Sequence, residues 1–253
     1  KFLGIAPTCR FFRETRKVDG TIGHFESVLG VAVKIRDYSN FDKQYNNTLE
    51  AAFKKVDLER DYKYYCVNDI DKHAKKKELL DEFVKRIARH VERVHVFYTL
   101  FSKRRLPEVK VYGRLAKDRR IKLGNPTRNY EELLSKHLVQ CFPGICAWRL
   151  MDYLAPEMTS FHMDSYQGHI FEAQEELESS SFQKFIFPNG DCSDPVISTA
   201  DILIEVLDKR LEEMRKLLIF ENIRPALAEF GEKVLVYPIS NKHLSKITPL
   251  DTE

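Results

Sequence analysis

Between Phe25 and Ser102 the chain changes its hydrophobic period twice, and that change limits the folds open to it. Residues 25–35, FESVLGVAVKI, are a short apolar run rich in β-branched residues, the composition of a strand. From Asn40 to Asp57 the apolar residues Phe41, Tyr45, Leu49, Ala52, Phe53 and Val56 recur at helical spacing and predict an amphipathic helix. A second helix is predicted over Ala74–Arg89, with Leu79, Leu80, Phe83, Val84 and Ile87 on one side. Residues 94–102, VHVFYTLFS, then read as a strand again. Strands separated by long amphipathic helices bury their apolar faces as a mixed sheet covered by helices, so the fold class is α/β.

The remaining segments extend this pattern. Phe2–Ile5 is a first strand, and the turn at Val18-Asp19-Gly20 predicts a hairpin leading into residues 25–35. Tyr62–Val67 reads as a short extended piece, and Pro107–Tyr112 alternates beside the 94–102 strand. Asn129 is placed to cap a helix over Tyr130–Tyr153, kinked at Pro143-Gly144. Thr159–Tyr166 is a strand, Gln167–Ser179 an acidic helix and Phe182–Phe187 the last central strand. A long helix over Val196–Phe220, a short helix over Arg224–Phe230 and a strand over Lys233–Pro238 complete the chain. The expected organisation is one domain over residues 1–216, with a helical, basic insertion at 72–122, followed by a C-terminal extension over 217–253.

Composition narrows the functional classes. No apolar run reaches the roughly 20 residues of a membrane helix, and the start KFLGIAPTCRFFRE lacks a signal-peptide pattern. Cys9, Cys66, Cys141, Cys146 and Cys192 form no C-x-x-C pair, so a reducing, cytoplasmic setting is expected. The net charge of +3 conceals an asymmetry. Lys72–Lys122 holds 17 Lys/Arg against 6 Asp/Glu, a balance of +11, while the rest of the chain stands at −8. A field this uneven concerns partners, and its natural partner is a phosphate backbone. The candidate contacts are Lys103, Arg104, Arg105, Arg114, Lys117, Arg119, Arg120 and Lys122, with His90 and His95 assigned to the same role. Tyr64, Tyr65, Tyr98 and Tyr112 interleave with the cations as base-stacking aromatics do, although core packing explains most such tyrosines.

Two carboxylates stand out by position. Asp164, in FHMDSYQ, falls near the C-terminal end of a predicted strand, where open α/β sheets bind ligands. Asp201, in STADILIEVLDKRL, falls in the first turns of the long helix, at the edge of an apolar face. Acidic oxygens converging from a strand and a helix are what Mg²⁺ or Mn²⁺ requires. Against that, Asp201 can simply complement the helix dipole and Asp164 cap a turn. His162 shares a strand face with Asp164 and His169 follows it, but core and loop histidines are commoner than catalytic ones. No glycine-rich phosphate loop, G-x-S-x-G or H-E-x-x-H occurs, which sets aside those hydrolase classes.

The order HFESVLGVAVKI, helix, VHVFYTLFS, helix, FHMDSYQ, then FIFPNGDCSDPVISTADILIEVLDKRL resembles the RNase H-like family called domain of unknown function 3800, over roughly residues 1–215. The resemblance implies an RNase H-like mixed sheet flanked by helices and a two-metal phosphodiesterase acting on RNA or DNA. It assigns Asp164 to the family's fourth-strand aspartate and Asp201 to its helix aspartate, both as ligands of Mg or Mn. Phe2-Leu3-Gly4-Ile5-Ala6-Pro7 has no acid where the family places its first aspartate, so the candidates to complete the catalytic set are Glu26 on the next strand, Glu14 or Asp19 in the hairpin, and Glu172, with Glu26 and Glu172 taken first. The alternative is a catalytically silent nucleic-acid-binding module or a scaffold subunit with a protein partner or a second copy of itself.

Overall fold

The protein is described here by a computed structural model covering residues 2–5, 11–18, 21–60, 63, 75–102, 160–164, 183–187, 190–214 and 220–238. Strands β1 (Phe2–Ile5), β2 (Phe11–Val18) and β3 (Thr21–Ile35) lead into helices α1 (Tyr38–Lys55) and α2 (Lys76–Ile87). Strand β4 (Arg93–Ser102), β5 (Ser160–Asp164) and β6 (Gln183–Phe187) follow. Helices α3 (Gly190–Ser193), α4 (Pro195–Glu213) and α5 (Phe220–Ala226), a 3-10 segment (Ala228–Lys233) and strand β7 (Val234–Pro238) come last.

The strands form one mixed sheet in the order β6-β5-β1-β3-β4-β7, with β2 also on β3. The long β3 organises it. One edge pairs antiparallel with β4, while β2 (at Thr21–Val28) and β1 (at Ala32–Ile35) take successive stretches of the other. Parallel pairs β1–β5, β5–β6 and β4–β7 extend the sheet to both sides. Mixed α/β architecture is therefore as the sequence predicts. The hairpin expected around Val18-Asp19-Gly20 is formed by β2 and β3, paired from Val18↔Thr21 to Phe11↔Val28, although FFRETRKV itself carries no apolar strand pattern, and β7 ties residues 234–238 of the C-terminal extension to the sheet edge.

Side chains alternate across a strand, and the two faces of β3 differ accordingly. Val31, Val33 and Ile35, with Val94, Val96 and Val234, pack against Phe41, Tyr45 and Leu49 of α1, Leu80, Phe83 and Val84 of α2, and Leu203 and Leu207 of α4. Burying each such side chain stabilises the fold by about 1.5–3 kcal/mol. The opposite face is closed as well, since Ala32, His95 and Phe97 have no exposed surface. Helix α4 is apolar nearly all round, with Val196, Ile197, Ala200, Ile202, Leu203 and Leu207 fully buried, as a central helix must be.

One stripe of α4 breaks that pattern. Ser198, Asp201 and Glu205 follow the preceding Asp194 at spacings of four, three and four, so the four share a face, and all are buried. Tyr45 of α1 shares a 2.6 Å hydrogen bond with Ser198, and Lys76 of α2 lies 3.5 Å from Glu205. Farther along, Arg210 donates to Asp81 of α2 and to Glu229 of the 3-10 segment, tying three elements together. Burial pulls Arg210 downward, but these two carboxylates outweigh it and raise its pKa.

The segments predicted at Pro107–Tyr112, Tyr130–Tyr153 and Gln167–Ser179 lie outside the described residues, as does all of Tyr62–Val67 except Lys63.

Candidate functional site

A polar constellation among the described residues centres on the fully buried Asp194, which the sequence reading does not single out. It immediately precedes α4, and Pro195 follows at the first helical position, where a missing N–H costs nothing. Its Oδ1 accepts the backbone N–H groups of Val196 (3.0 Å) and Ile197 (2.9 Å), so Asp194 is the cap of α4. Its Oδ2 accepts the hydroxyl of Tyr38, at the start of α1, at 2.8 Å. His162 Nδ1, on β5, lies 2.8 Å from the same oxygen. With the carboxylate accepting, that nitrogen carries the hydrogen. The rings of Tyr38 and His162 also touch, with centroids 5.0 Å apart. The Asp-Pro pair in PNGDCSDP is the local signal that marks this cap.

Four donors occupy the four lone-pair directions of Asp194, and its carboxylate has no exposed surface. As placed it orients His162 and joins α1, β5 and α4, and ligating a metal would break those bonds. His162 itself is 4% exposed, a core histidine held by a carboxylate.

The predicted site residues fall in different places. Asp164 is the last residue of β5, at the same strand parity as His162, opposite Phe187 of β6. Asp201 is the seventh residue of α4, about 10 Å along the helix from Asp194. It is 6% exposed between the fully buried Ala200 and Ile202, deeper than the edge position expected. Glu26 lies on β3 opposite Arg13 and Phe101. Its register position belongs to the set of Ala32 and Lys34, the face away from α4, and lies six residues, roughly 20 Å, from the Ala32–Ile5 pair. The backbone thus brings Asp164 and His162 to one face and sets Glu26 apart from them. Glu172 and all eight proposed nucleic-acid contacts, Lys103 to Lys122, lie outside the described residues. Among the described residues no group of three or more His, Cys, Asp or Glu is placed to hold a metal ion. The described donors therefore do not form a cradle for Mg or Mn.

His95 requires a correction. It was assigned to phosphate contact from its place in the basic segment, yet it has no exposed surface. Alternation along β4 puts it on the sheet face away from the helices, where Nδ1 lies 3.1 Å from the Tyr237 hydroxyl and the rings stack. Burial, and then Lys34 and Arg93 nearby, push its pKa down to about 3, so the ring is neutral. Tyr98 packs half-buried against the core, as core packing predicts.

No helix among the described residues is long and apolar enough to cross a membrane. A chain of the solved PCNA:RNase HII complex from Archaeoglobus fulgidus superposes with a TM-score of 0.42 at 13% identity, over 92% of this chain and 80% of that one. A likeness that low carries no argument. An uncharacterised protein from Archaeoglobus fulgidus is 26% identical over 250 residues, covering 88% of this chain and 69% of its own. The resemblance to RNase H-like proteins and to domain of unknown function 3800 is not upheld, because the family that matches is a different one. Element order carried that resemblance, and many families share an order of strands and helices. Residues 17–253 match the family described as domain of unknown function DUF8203, and the chain belongs to that family.

Proposed function

We propose that this protein is a catalytically silent nucleic-acid-binding module, which holds a phosphate backbone through its basic segment, Lys72–Lys122. The supporting observation is the charge distribution: +11 over that segment against −8 over the rest of the chain. Counterion release from a polyanion rewards such a concentration of cations. The geometry around β5 favours binding over cleavage. Its best-organised carboxylate, Asp194, is spent on a helix cap, a tyrosine and a histidine, and Asp201 is buried within α4.

A second reading, a metal-dependent nuclease using Asp164 and Asp201 with Mg or Mn, has one observation in its favour. Asp164 ends β5 at the parity of His162, on the sheet face that α4 covers. The two readings separate in one assay: end-labelled single- and double-stranded RNA and DNA incubated with Mg²⁺, Mn²⁺ or chelator. Salt-sensitive retention without cutting is the expected result. Metal-dependent cutting that disappears in both Asp164→Asn and Asp201→Asn would establish the nuclease instead.

A further inference from the structure

The cations between Lys103 and Lys122 are only part of the basic segment. Its first part, α2 and the turn into β4, carries a second group that the fold gathers in space. Lys85 and Arg89 lie four residues apart at the end of α2, both exposed, on neighbouring turns of one face. Among the described residues neither has an acidic partner. Lys233, from the 3-10 segment, reaches the same turn and donates to the carbonyls of Ala88 (2.7 Å) and Val91 (2.9 Å). It therefore satisfies the end of α2 and fixes a third cation beside it. Arg93, exposed at the start of β4, donates to the Glu232 carbonyl at 3.4 Å but shares the strand parity of His95, on the sheet face away from α2.

Among the acids nearby, Glu232 is exposed beside Lys233, and the others are committed elsewhere. Glu92 lies 3.8 Å from Lys34 and 3.6 Å from Arg36, and Glu82 is paired with Arg86 at 2.6 Å. Partly exposed His90 senses the result: burial, and then the charges of Arg89 and Lys233, lower its pKa. A surface where cations outnumber available carboxylates, with an arginine among them, fits the oxygens of a phosphate group.

We infer that Lys85, Arg89 and Lys233, where the end of α2 meets the 3-10 segment, form a contact for a nucleic-acid phosphate backbone. This deepens the reading above and rests on it. It adds a contact from outside the basic segment, Lys233, and places part of the interface at the α2–β4 turn.

The test measures affinity by fluorescence anisotropy, for a labelled single-stranded RNA and a labelled duplex DNA, across a salt series. The full chain is compared with Lys85→Ser/Arg89→Ser and with Lys54→Ser/Lys55→Ser. The latter removes the same charge from exposed lysines at the end of α1, outside the basic segment. Losing two phosphate contacts should weaken binding about tenfold or more at low salt and flatten the log–log salt slope by roughly 1.4–1.8. The α1 variant should keep the slope of the wild type. Equal slopes in wild type and the α2 variant, or equal losses in both variants, overturn this contact and leave the general reading standing. A wild type that retains neither probe overturns the general reading. Capture of polyglutamate without either nucleic acid assigns the patch to an acidic protein partner and also overturns the proposal.

Discussion

Asp194 shows how much of this fold one side chain fixes. It caps α4, orients His162 and anchors Tyr38, all without exposure to solvent. Asp194→Ala removes a cap and leaves buried donors without acceptors, so it should cost about 3 kcal/mol or more of unfolding free energy in urea titration. A loss below about 1 kcal/mol contradicts the role assigned to it. His95 gives a prediction of a different kind, because it is buried neutral with its pKa down to about 3. In the unfolded chain it takes up a proton near 6.5. Between those values the unfolded state binds more protons, so stability present at neutral pH is lost as the pH falls. At about 1.4 kcal/mol per unit, His95 alone should remove about 3 kcal/mol between about pH 7 and pH 4. His95→Leu should show a shallower fall in the denaturation midpoint over that range. An unchanged pH profile would show that His95 is not the titrating group.

Between elements, buried ion pairing decides how α2 sits on α4. Lys76 is 5% exposed and Glu205 is 2% exposed, with Lys209 also 2.9 Å from that carboxylate. Lys76→Met strands part of a buried charge and should cost about 3 kcal/mol, while Lys76→Met/Glu205→Leu should recover most of that loss. A double variant as unstable as the single one would show that apolar packing, not pairing, is the issue. The elements themselves were largely legible in the sequence. FESVLGVAVKI, VHVFYTLFS and the two helical stripes declared themselves because their apolar residues decide which face is buried, and α1, α2, β3 and β4 follow them closely. Strand β2 is legible only through the turn signal at Val18-Asp19-Gly20, since FFRETRKV carries four charges in eight residues and owes its extended form to pairing with β3. The site was less legible than the fold. Asp164 and His162 were found through their two-residue spacing, but Asp194 acts through Tyr38 and His162, 156 and 32 residues away, and no local pattern states such partners. His95 was misread because its basic neighbours are visible in sequence and the closed second face of the sheet is not.

The molecule as a whole combines a sheet closed on both faces, a central helix with a buried polar stripe, and a charge distribution concentrated in one segment. The first two explain why the chain holds one arrangement, and the third carries the functional reading. Membership of the DUF8203 family leaves that reading to be decided on the protein itself. The most direct measurement is the affinity of the full chain for single- and double-stranded RNA and DNA as a function of salt, with Mg²⁺ and with chelator. Retention that weakens steeply as salt rises, with the probes intact both with Mg²⁺ and with chelator, is expected. Probes that are never retained, even at low salt, would contradict it.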